Sequence, residues 1–273
     1  MTYYSATIIG IREINLSKEE RMFLKNNNPL GVILFRRNID NPDQLKHLIN
    51  DIKDCLGRDS PILIDQEGGA VARLVSPHFS EYPPAKYFGD IATNDINKAI
   101  SLLELNYFNL GCELKNLGIN FNCAPVLDLY IKTANQVIGD RSFSSDPKIV
   151  SILAEKACMA LKKAGIIPII KHIPGHGRAN VDSHLSLPII STDTNDYKND
   201  LKPFKYLNDM PVAMTAHIVL KGLDSKAVTQ SKIIINKVIR KEIGFNGLLI
   251  SDDICMKALE GDVYNRAYDT RQA

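Results

Sequence analysis

The segment Lys171–His184, with the sequence KHIPGHGRANVDSH, concentrates side chains that can donate, accept or carry protons. It holds histidines together with a lysine and an aspartate. Because Pro174 prevents a helix from continuing, His172 and His176 are not the i, i+4 pair of a helical zinc motif. The segment is therefore expected to form an extended loop.

Within this loop, Asp182 and His184 are two residues apart, so an extended backbone places both side chains on the same side. The carboxylate can then hold one imidazole nitrogen while the other nitrogen faces a substrate. Gly175 and Gly177 allow backbone geometries closed to other residues and let the chain pass close to a ligand. An isolated Asp-x-His is more often a surface feature, but its place in a glycine-rich loop favours a proton-transfer pair.

Asp252 directly follows a second stretch of interest, the apolar run Gly247–Ser251. A carboxylate after a buried strand of a barrel faces the barrel mouth, where it can act as a nucleophile. It can equally cap a helix that follows the strand, although Asp253 is also available for that cap. The pattern alone leaves both interpretations open.

Short β-branched runs alternate with amphipathic helical patterns along the whole chain. The runs that predict strands are 6–11, 31–35, 61–65, 119–124, 166–170, 211–215 and 247–250. The predicted helices are 17–25, 42–56, 96–117, 146–165, 196–207 and 231–244. Continuous apolar strands indicate burial on both faces, as parallel sheets require. The alternation favours an α/β fold of the TIM-type (β/α)8 barrel class, with a doubly wound sheet as the alternative.

Polar side chains directly follow most of these strands, at the end where such barrels keep their active sites. A polar loop is ordinary at any one strand end, but a succession of them indicates a site. The segments concerned are Phe35–Asn38, Asp65–Gly69, Pro125–Asp128, Lys171–Gly177, Thr215–His217 and Ser251–Asp253.

The amino-acid composition of the chain indicates which kinds of binding partner and which compartment it fits. The chain has 33 Lys and Arg against 31 Asp and Glu, so its formal charge of +2 gives no electrostatic case for nucleic acid or an anionic membrane surface. Its 5 cysteines form no CxxC motif and are typical of a reducing compartment. No signal peptide and no run of about 20 apolar residues is evident. We therefore expect a cytoplasmic location.

The motifs in these segments resemble those of the bacterial family 3 glycoside hydrolases, specifically the β-N-acetylhexosaminidases (β-N-acetylglucosaminidases) of peptidoglycan recycling. The motifs that carry the resemblance are GVILFRRN at 31–38, DQEGG at 65–69, APVLDL at 124–129, IGDRSF at 138–143, KHIPGHG and DSH within 171–184, MTAH at 214–217 and GLLISDD at 247–253. They occur in order over nearly the whole chain, which predicts one catalytic barrel domain, 1–273.

The resemblance implies a retaining mechanism with a covalent glycosyl-enzyme intermediate. Asp252 would attack the anomeric carbon, and His184 would act first as general acid and then as general base. Asp182 would orient His184 and raise its basicity. A histidine suits proton transfer near neutrality, since its unperturbed pKa is about 6.5.

The resemblance also implies a substrate and a set of binding residues. Family members favour terminal GlcNAc β-1,4-linked to anhydro-N-acetylmuramic acid in muropeptides, and neither a metal nor an organic cofactor is implied. Residues expected to bind the hydroxyls and the N-acetyl group are Asp65, Arg73, Arg141, Lys171 and His172. Among the other polar residues, His176 is expected to shape the loop, and Asp128 and His217 to support the site from the mouth.

The end of the chain departs from the family pattern. The tail 260–273 contains no apolar run able to form a buried strand, although residues 257–273 have the length for a helix of about 25 Å. Because family members continue with an eighth strand and helix, the resemblance implies a barrel that lacks both and is incomplete at its C-terminus. Sheet edges beside the first and seventh strands would then be exposed.

Three alternatives remain open at this stage. The first is a non-catalytic remnant that at most binds GlcNAc, suggested by the missing strand. The second is a metal-dependent barrel hydrolase that uses His172, His176, His184 and Asp182. The third is a phosphorolytic variant in which phosphate replaces water as the acceptor of the sugar.

Overall fold

The computed structural model describes residues 4–183, 186–192 and 195–273. Its main sheet has 7 parallel strands. They are β1 Ser5–Gly10, β2 Pro29–Leu34, β3 Ile62–Ile64, β4 Phe121–Asn122, β5 Ile167–Ile173, β7 Val212–Thr215 and β9 Leu248–Ser251. Two further strands, β6 Ile189–Ser191 and β8 Val219–Lys221, form a separate parallel pair.

The strand order decides between the two predicted architectures. The seven strands lie side by side in the order in which they occur along the chain, β1-β2-β3-β4-β5-β7-β9. A doubly wound sheet would reverse direction partway through its strand order, whereas a barrel-type sheet does not. The barrel-type α/β fold is therefore confirmed, as a curled parallel sheet. Within the described residues β1 pairs only with β2 and β9 only with β7, so the sheet is open between β1 and β9.

The helices flank these strands, as the alternating pattern predicts. They are α1 Lys18–Asn27, α2 Pro42–Leu56, α3 Ala85–Ala92, α4 Ile96–Leu117, α5 Pro147–Lys163, α6 Asn195–Asp200, α7 Lys202–Tyr206, α8 Lys232–Ile234 and α9 Val263–Gln272. In the part of the chain that is described, no helix combines the length and the apolar character that crossing a bilayer requires.

Local sequence signals account for most helix ends. The Asn41 side chain caps α2, Pro42 occupies its first turn and Gly57 ends it in the left-handed conformation. The predicted helix 196–207 is two helices instead, because Pro203 near the start of α7 has no N–H with which to continue α6. The predicted helix 231–244 begins as α8 and continues as a π-helix over Ile235–Ile243.

Apolar side chains fill the interior of the curled sheet below the loops. Five of them form one buried cluster: Leu63, Cys123, Ile169, Val212 and Met214. Because side chains alternate between the two faces of a strand, a residue two positions beyond an interior side chain points to the same side. This period places Asp65 above Leu63 and Lys171 above Ile169. The apolar interior thus becomes a polar floor at the carboxyl ends of the strands.

Helix α3 has room for a glycine and nothing larger where it packs against the segment that follows Arg141. A methyl group built on Gly89 would lie 1.5 Å from the carbonyl oxygen of Phe143. We predict that Gly89→Ala lowers the free energy of unfolding by at least about 3 kcal/mol, because the backbone must move to relieve the overlap. Urea denaturation measures the change.

Gly57→Ala is the matched control, since a methyl group there meets nothing within 4 Å. It should cost only the left-handed strain of about 1 kcal/mol. Equal losses in the two variants would contradict this account of the packing at α3.

Candidate active site

A polar pocket opens at the carboxyl ends of the strands. Of the residues predicted to form the site, Asp65, Arg73, Arg141, Lys171, His172 and Asp252 line the pocket. The remaining lining residues are Glu67, Val71, Val137, Ile138, His176, Ser183 and Met214. Side chains far apart in the sequence are thus brought together in one cavity.

Lys171 is the buried centre of the pocket floor. Its Nζ donates to Asp65 Oδ1 at 2.9 Å and lies 2.6 Å from Glu67 Oε1. Burial lowers the pKa of the Lys171 ammonium, but the two carboxylates more than reverse this and raise it above its usual range. Lys171 is therefore a fixed cation that bridges two carboxylates.

Two arginines extend this network outward from the same carboxylates. Arg141 donates from Nε and Nη2 to the two oxygens of Glu67, each at 2.9 Å, which is a bidentate pair. Arg73 Nη2 donates to Asp65 Oδ2 at 3.2 Å. Burial raises the pKa of the Asp65 carboxyl, yet Lys171 and Arg73 together bring it well below its usual range. Asp65 is therefore ionised at neutral pH, and its position is fixed by Lys171 and Arg73.

Glu67 was not among the predicted site residues, although its motif was noted. Its carboxyl group is almost fully buried, and both of its oxygens are occupied by cations. Burial raises the Glu67 pKa, and Lys171 and Arg141 lower it by more. Glu67 thus has no free oxygen with which to bind a ligand, and it positions the two cations that do face the pocket.

A second buried carboxylate, Asp128, holds the next part of the site. Its Oδ2 lies 2.6 Å from His172 Nδ1, and its Oδ1 accepts from the backbone N–H of His176 at 2.6 Å. Burial raises the Asp128 pKa, but the His172 imidazole and the hydrogen bonds that the carboxylate accepts lower it by more. Asp128, predicted only as a supporting residue at the mouth, therefore fixes the orientation of the His172 ring.

Asp252 stands immediately after β9 and is only partly covered by protein, with its carboxyl group in the pocket. Burial raises its pKa, but the His172 and His217 imidazoles and the N–H of Asp253 outweigh this and lower it. The turn after the strand is capped by Asp253, whose Oδ1 accepts from the N–H of Cys255 at 2.8 Å. Asp252 is therefore an ionised carboxylate available to a ligand.

His217 forms a hydrogen bond with the backbone of the residue that follows Asp252. Its Nε2 lies 3.0 Å from the carbonyl oxygen of Asp253, so this nitrogen carries the proton. Its Nδ1 lies 2.8 Å from Thr229 Oγ1. The ring is fully buried and is not part of the pocket lining, which agrees with the predicted supporting role.

The predicted proton-transfer pair lies on the loop that follows β5. His184 lies outside the described residues. Asp182 is partly buried, and its neighbour Ser183 lines the pocket. The Asp182–His184 pair therefore stays a prediction, on a loop that reaches the pocket wall.

The start of this loop is fixed by close backbone contacts and by one hydrogen bond from an arginine to a carboxyl group. A methyl group on Gly177 would lie 2.1 Å from the carbonyl oxygen of Leu129, and one on Gly175 would lie 3.0 Å from Asp200 Cβ. Arg178 Nε donates to Asp200 Oδ2 at 2.7 Å. The loop therefore leaves β5 along a constrained path.

The alternative metal site falls only partly within the described residues. Three of its four residues, Asp182, His172 and His176, are described, and His184 is not. Among the described residues there is no group of three or more His, Cys, Asp or Glu side chains placed to hold a metal ion.

The family of the chain follows from its match to known proteins. Residues 6–273 match the family model described as the glycosyl hydrolase family 3 N terminal domain. The chain belongs to glycosyl hydrolase family 3. The resemblance carried by the sequence motifs is therefore confirmed.

Curated relatives in this family carry a consistent name. A β-hexosaminidase of Methylobacillus flagellatus is 38% identical over 244 residues, which cover 87% of this chain and 69% of that protein. A β-hexosaminidase of Bordetella avium is 33% identical over 257 residues, covering 92% of this chain and 73% of that protein. The family 3 chain is thus a glycosidase of the β-hexosaminidase group.

A solved structure in the family has the same fold. NagZ from Neisseria gonorrhoeae in complex with N-trifluoroacetyl-D-glucosamine matches with a TM-score of 0.91 and 33% sequence identity. The match covers 98% of this chain and 79% of that one. The curled sheet described above is therefore the barrel-type sheet of this family.

Asp200 makes the anchoring of the active-site loop dependent on pH. Burial raises the pKa of its carboxyl to about 7, although the Arg178 guanidinium pulls it downward. The folded protein therefore holds this proton more tightly than the unfolded chain does. At a pH below the ordinary pKa of an aspartate, Asp200 therefore makes its full contribution to the free energy of unfolding. This contribution is lost as the pH rises through about 7.

We predict that wild type is more stable relative to Asp200→Asn at about pH 5 than at about pH 8. Urea unfolding of both proteins at the two pH values measures this difference. Asp196→Asn, which removes the exposed second carboxylate near Arg178, is the control and should show no such dependence. A wild-type minus Asp200→Asn difference that is constant with pH would refute the burial of an uncharged Asp200.

Proposed function

We propose that this family 3 chain is a retaining exo-β-N-acetylglucosaminidase that releases a terminal β-linked GlcNAc. The observation that carries the proposal is the ionised Asp252 carboxylate, which shares a pocket with hydrogen-bonding groups fixed by ion pairs. A nucleophilic carboxylate beside preorganised polar groups is what a retaining glycosidase requires.

In the first chemical step, an Asp252 oxygen forms a bond to the anomeric carbon while the bond from that carbon to the leaving oxygen breaks. The leaving oxygen keeps the electron pair and takes a proton from His184. Asp182 orients His184 and stabilises its protonated form. The product of this step is a covalent glycosyl ester on Asp252.

In the second step, a water oxygen attacks the anomeric carbon and the ester bond to Asp252 breaks. His184 takes the proton that the water loses, which restores both residues to their starting states. Because each step inverts the anomeric centre, the released sugar keeps the β configuration.

The binding groups fall into one acceptor and several donors. Asp65 accepts hydrogen bonds from sugar hydroxyls, and Arg73, Arg141, Lys171 and His172 donate to hydroxyl or carbonyl oxygens. Since Arg73, Arg141 and Lys171 are already paired with carboxylates, they add little excess charge to the site, which suits a neutral sugar. The β-hexosaminidase relatives and the structure of NagZ with N-trifluoroacetyl-D-glucosamine support GlcNAc as that sugar.

The finer identity of the substrate is also part of the proposal. We propose that the leaving group is the anhydro-N-acetylmuramic acid of muropeptides, that residues 1–273 form one catalytic barrel domain and that the enzyme acts in the cytoplasm. The motifs shared with peptidoglycan-recycling enzymes and the similarity to NagZ support this assignment.

One observation favours a second candidate, a GlcNAc-binding protein without turnover. Strand β9, which leads into Asp252, has only β7 as a described neighbour, and Leu248 on it is 50% exposed. A nucleophile on an edge strand is less firmly held than one inside a closed sheet. Calorimetry that shows GlcNAc binding without hydrolysis of any β-GlcNAc glycoside would favour this candidate.

The roles of Asp252 and His184 are tested with a nitrophenyl β-GlcNAc glycoside. We predict that Asp252→Gly lowers kcat/KM by at least about 10³-fold, because the covalent step is lost. His184→Gly should lower it by about 10²- to 10⁴-fold. Asp90→Asn on the exposed surface of α3 is the control and should match wild type.

Azide distinguishes the two roles by the product it forms. In the Asp252 variant, azide replaces the missing nucleophile and should give the α-glycosyl azide. In the His184 variant, azide attacks the covalent intermediate and should give the β-glycosyl azide. The same anomer from both variants, or full activity in either, would contradict the assigned roles.

A further inference from the structure

His176 is buried in the pocket wall with no protein partner for its ring. The side chain lines the pocket, and the residue is 3% exposed. Within the described chain, neither Nδ1 nor Nε2 has a hydrogen-bond partner. A buried polar atom without a hydrogen bond costs about 1–3 kcal/mol. The unpaired ring nitrogens of His176 at a pocket therefore indicate that a bound ligand forms hydrogen bonds with them.

The backbone around His176 is held in place by close contacts, which keep the ring at the pocket wall. Its N–H donates to Asp128 Oδ1 at 2.6 Å, and Gly177 is packed directly against the carbonyl group of Leu129. Gly175 has a φ of 135°, which a residue with a side chain rarely adopts. The loop is therefore built so that the His176 ring stays at the pocket wall.

The His176 ring is uncharged when the enzyme works near neutrality. Burial, followed by the nearby His172, lowers its pKa to about 4. A neutral imidazole has one N–H donor and one nitrogen acceptor. This protonation state does not suit a general acid at neutral pH, and it leaves His176 as a neutral hydrogen-bonding group.

Apolar side chains also line the pocket. Val137 and Ile138 line the pocket, and their loop is tied to the His176 loop by a hydrogen bond from Asn135 N–H to the Ala179 carbonyl at 2.9 Å. Arg141, which donates to the carbonyl of Val137, lies near enough to affect the pKa of His176. A group with one donor, one acceptor and a methyl matches this combination.

We propose that His176 is the residue that recognises the 2-acetamido group of the substrate, with Val137 and Ile138 in contact with its methyl group. The amide N–H and C=O complement the acceptor and donor of a neutral imidazole, and among the substituents of GlcNAc only this group carries a methyl. The proposal rests on the proposed function, since it concerns the same pocket, and it makes His176 a specificity-determining residue.

Two variants separate hydrogen bonding from ring shape. His176→Phe keeps an aromatic ring but cannot hydrogen-bond, whereas His176→Gln keeps a donor and an acceptor. For each variant, kcat/KM is measured on nitrophenyl β-GlcNAc and on nitrophenyl β-glucoside, which lacks the acetamido group. The dissociation constants of GlcNAc and glucose are measured by calorimetry on the same proteins.

We expect His176→Phe to lower kcat/KM on the GlcNAc glycoside by about 10- to 100-fold and to leave the glucoside value nearly unchanged. The affinity for GlcNAc over glucose should fall by a similar factor, and His176→Gln should recover part of both losses. The loss should be the same at about pH 6 and about pH 8, because the ring is neutral at both.

Equal losses on the two glycosides would overturn the proposal, since a merely structural role affects both sugars alike. An unchanged preference for GlcNAc would also overturn it, as would wild-type protein that binds neither sugar. If wild type binds GlcNAc but hydrolyses neither glycoside, the proposed function fails while the calorimetric comparison still decides the role of His176.

Discussion

The buried ammonium group of Lys171 is the interaction on which the site depends. It lies between Asp65 and Glu67, two carboxylates that follow β3, and it reaches them from β5, which is two strands away in the sheet. Without this cation the two acids would be left close together in a buried place, which is strongly unfavourable. Each of these acids also holds an arginine. The position of every charged group on the pocket floor therefore follows from this one contact and from the curl of the parallel sheet.

Preorganisation of this kind explains how a small pocket can bind a neutral sugar and still contain a reactive carboxylate. The cations are paired before any ligand arrives, so binding requires little reordering of long side chains. Asp252, in contrast, has no cation bonded to it among the described residues, and it is kept ionised by the imidazoles of His172 and His217. The paired acids thus hold binding groups in place, while the unpaired acid remains available for chemistry.

Local patterns in the sequence were enough to predict the layout of the fold, whereas the binding residues of the pocket were predicted from the family resemblance. The alternation of apolar strands and amphipathic helices favoured a barrel over a doubly wound sheet, and the polar segments after the strands indicated a site that contains Asp65, Lys171 and Asp252. The role of Glu67 was missed, because its partners are distant in the sequence and no local pattern shows how a loop after a strand turns. The Asp128–His172 pair was hidden for the same reason, whereas Asp182 and His184 were suggested by being close neighbours in the chain.

Chemical trapping of the covalent intermediate tests the central claim, that Asp252 is the nucleophile of a retaining glycosidase, most directly. The protein is incubated with the 5-fluoro glycosyl fluoride of GlcNAc, whose leaving group departs readily while the electron-poor intermediate hydrolyses slowly. Mass spectrometry should show one added fluorinated N-acetylglucosaminyl group, located on the peptide that contains Asp252 and absent from Asp252→Asn. A label on Asp65 or Glu67, or consumption of the reagent without any labelled protein, would contradict the account.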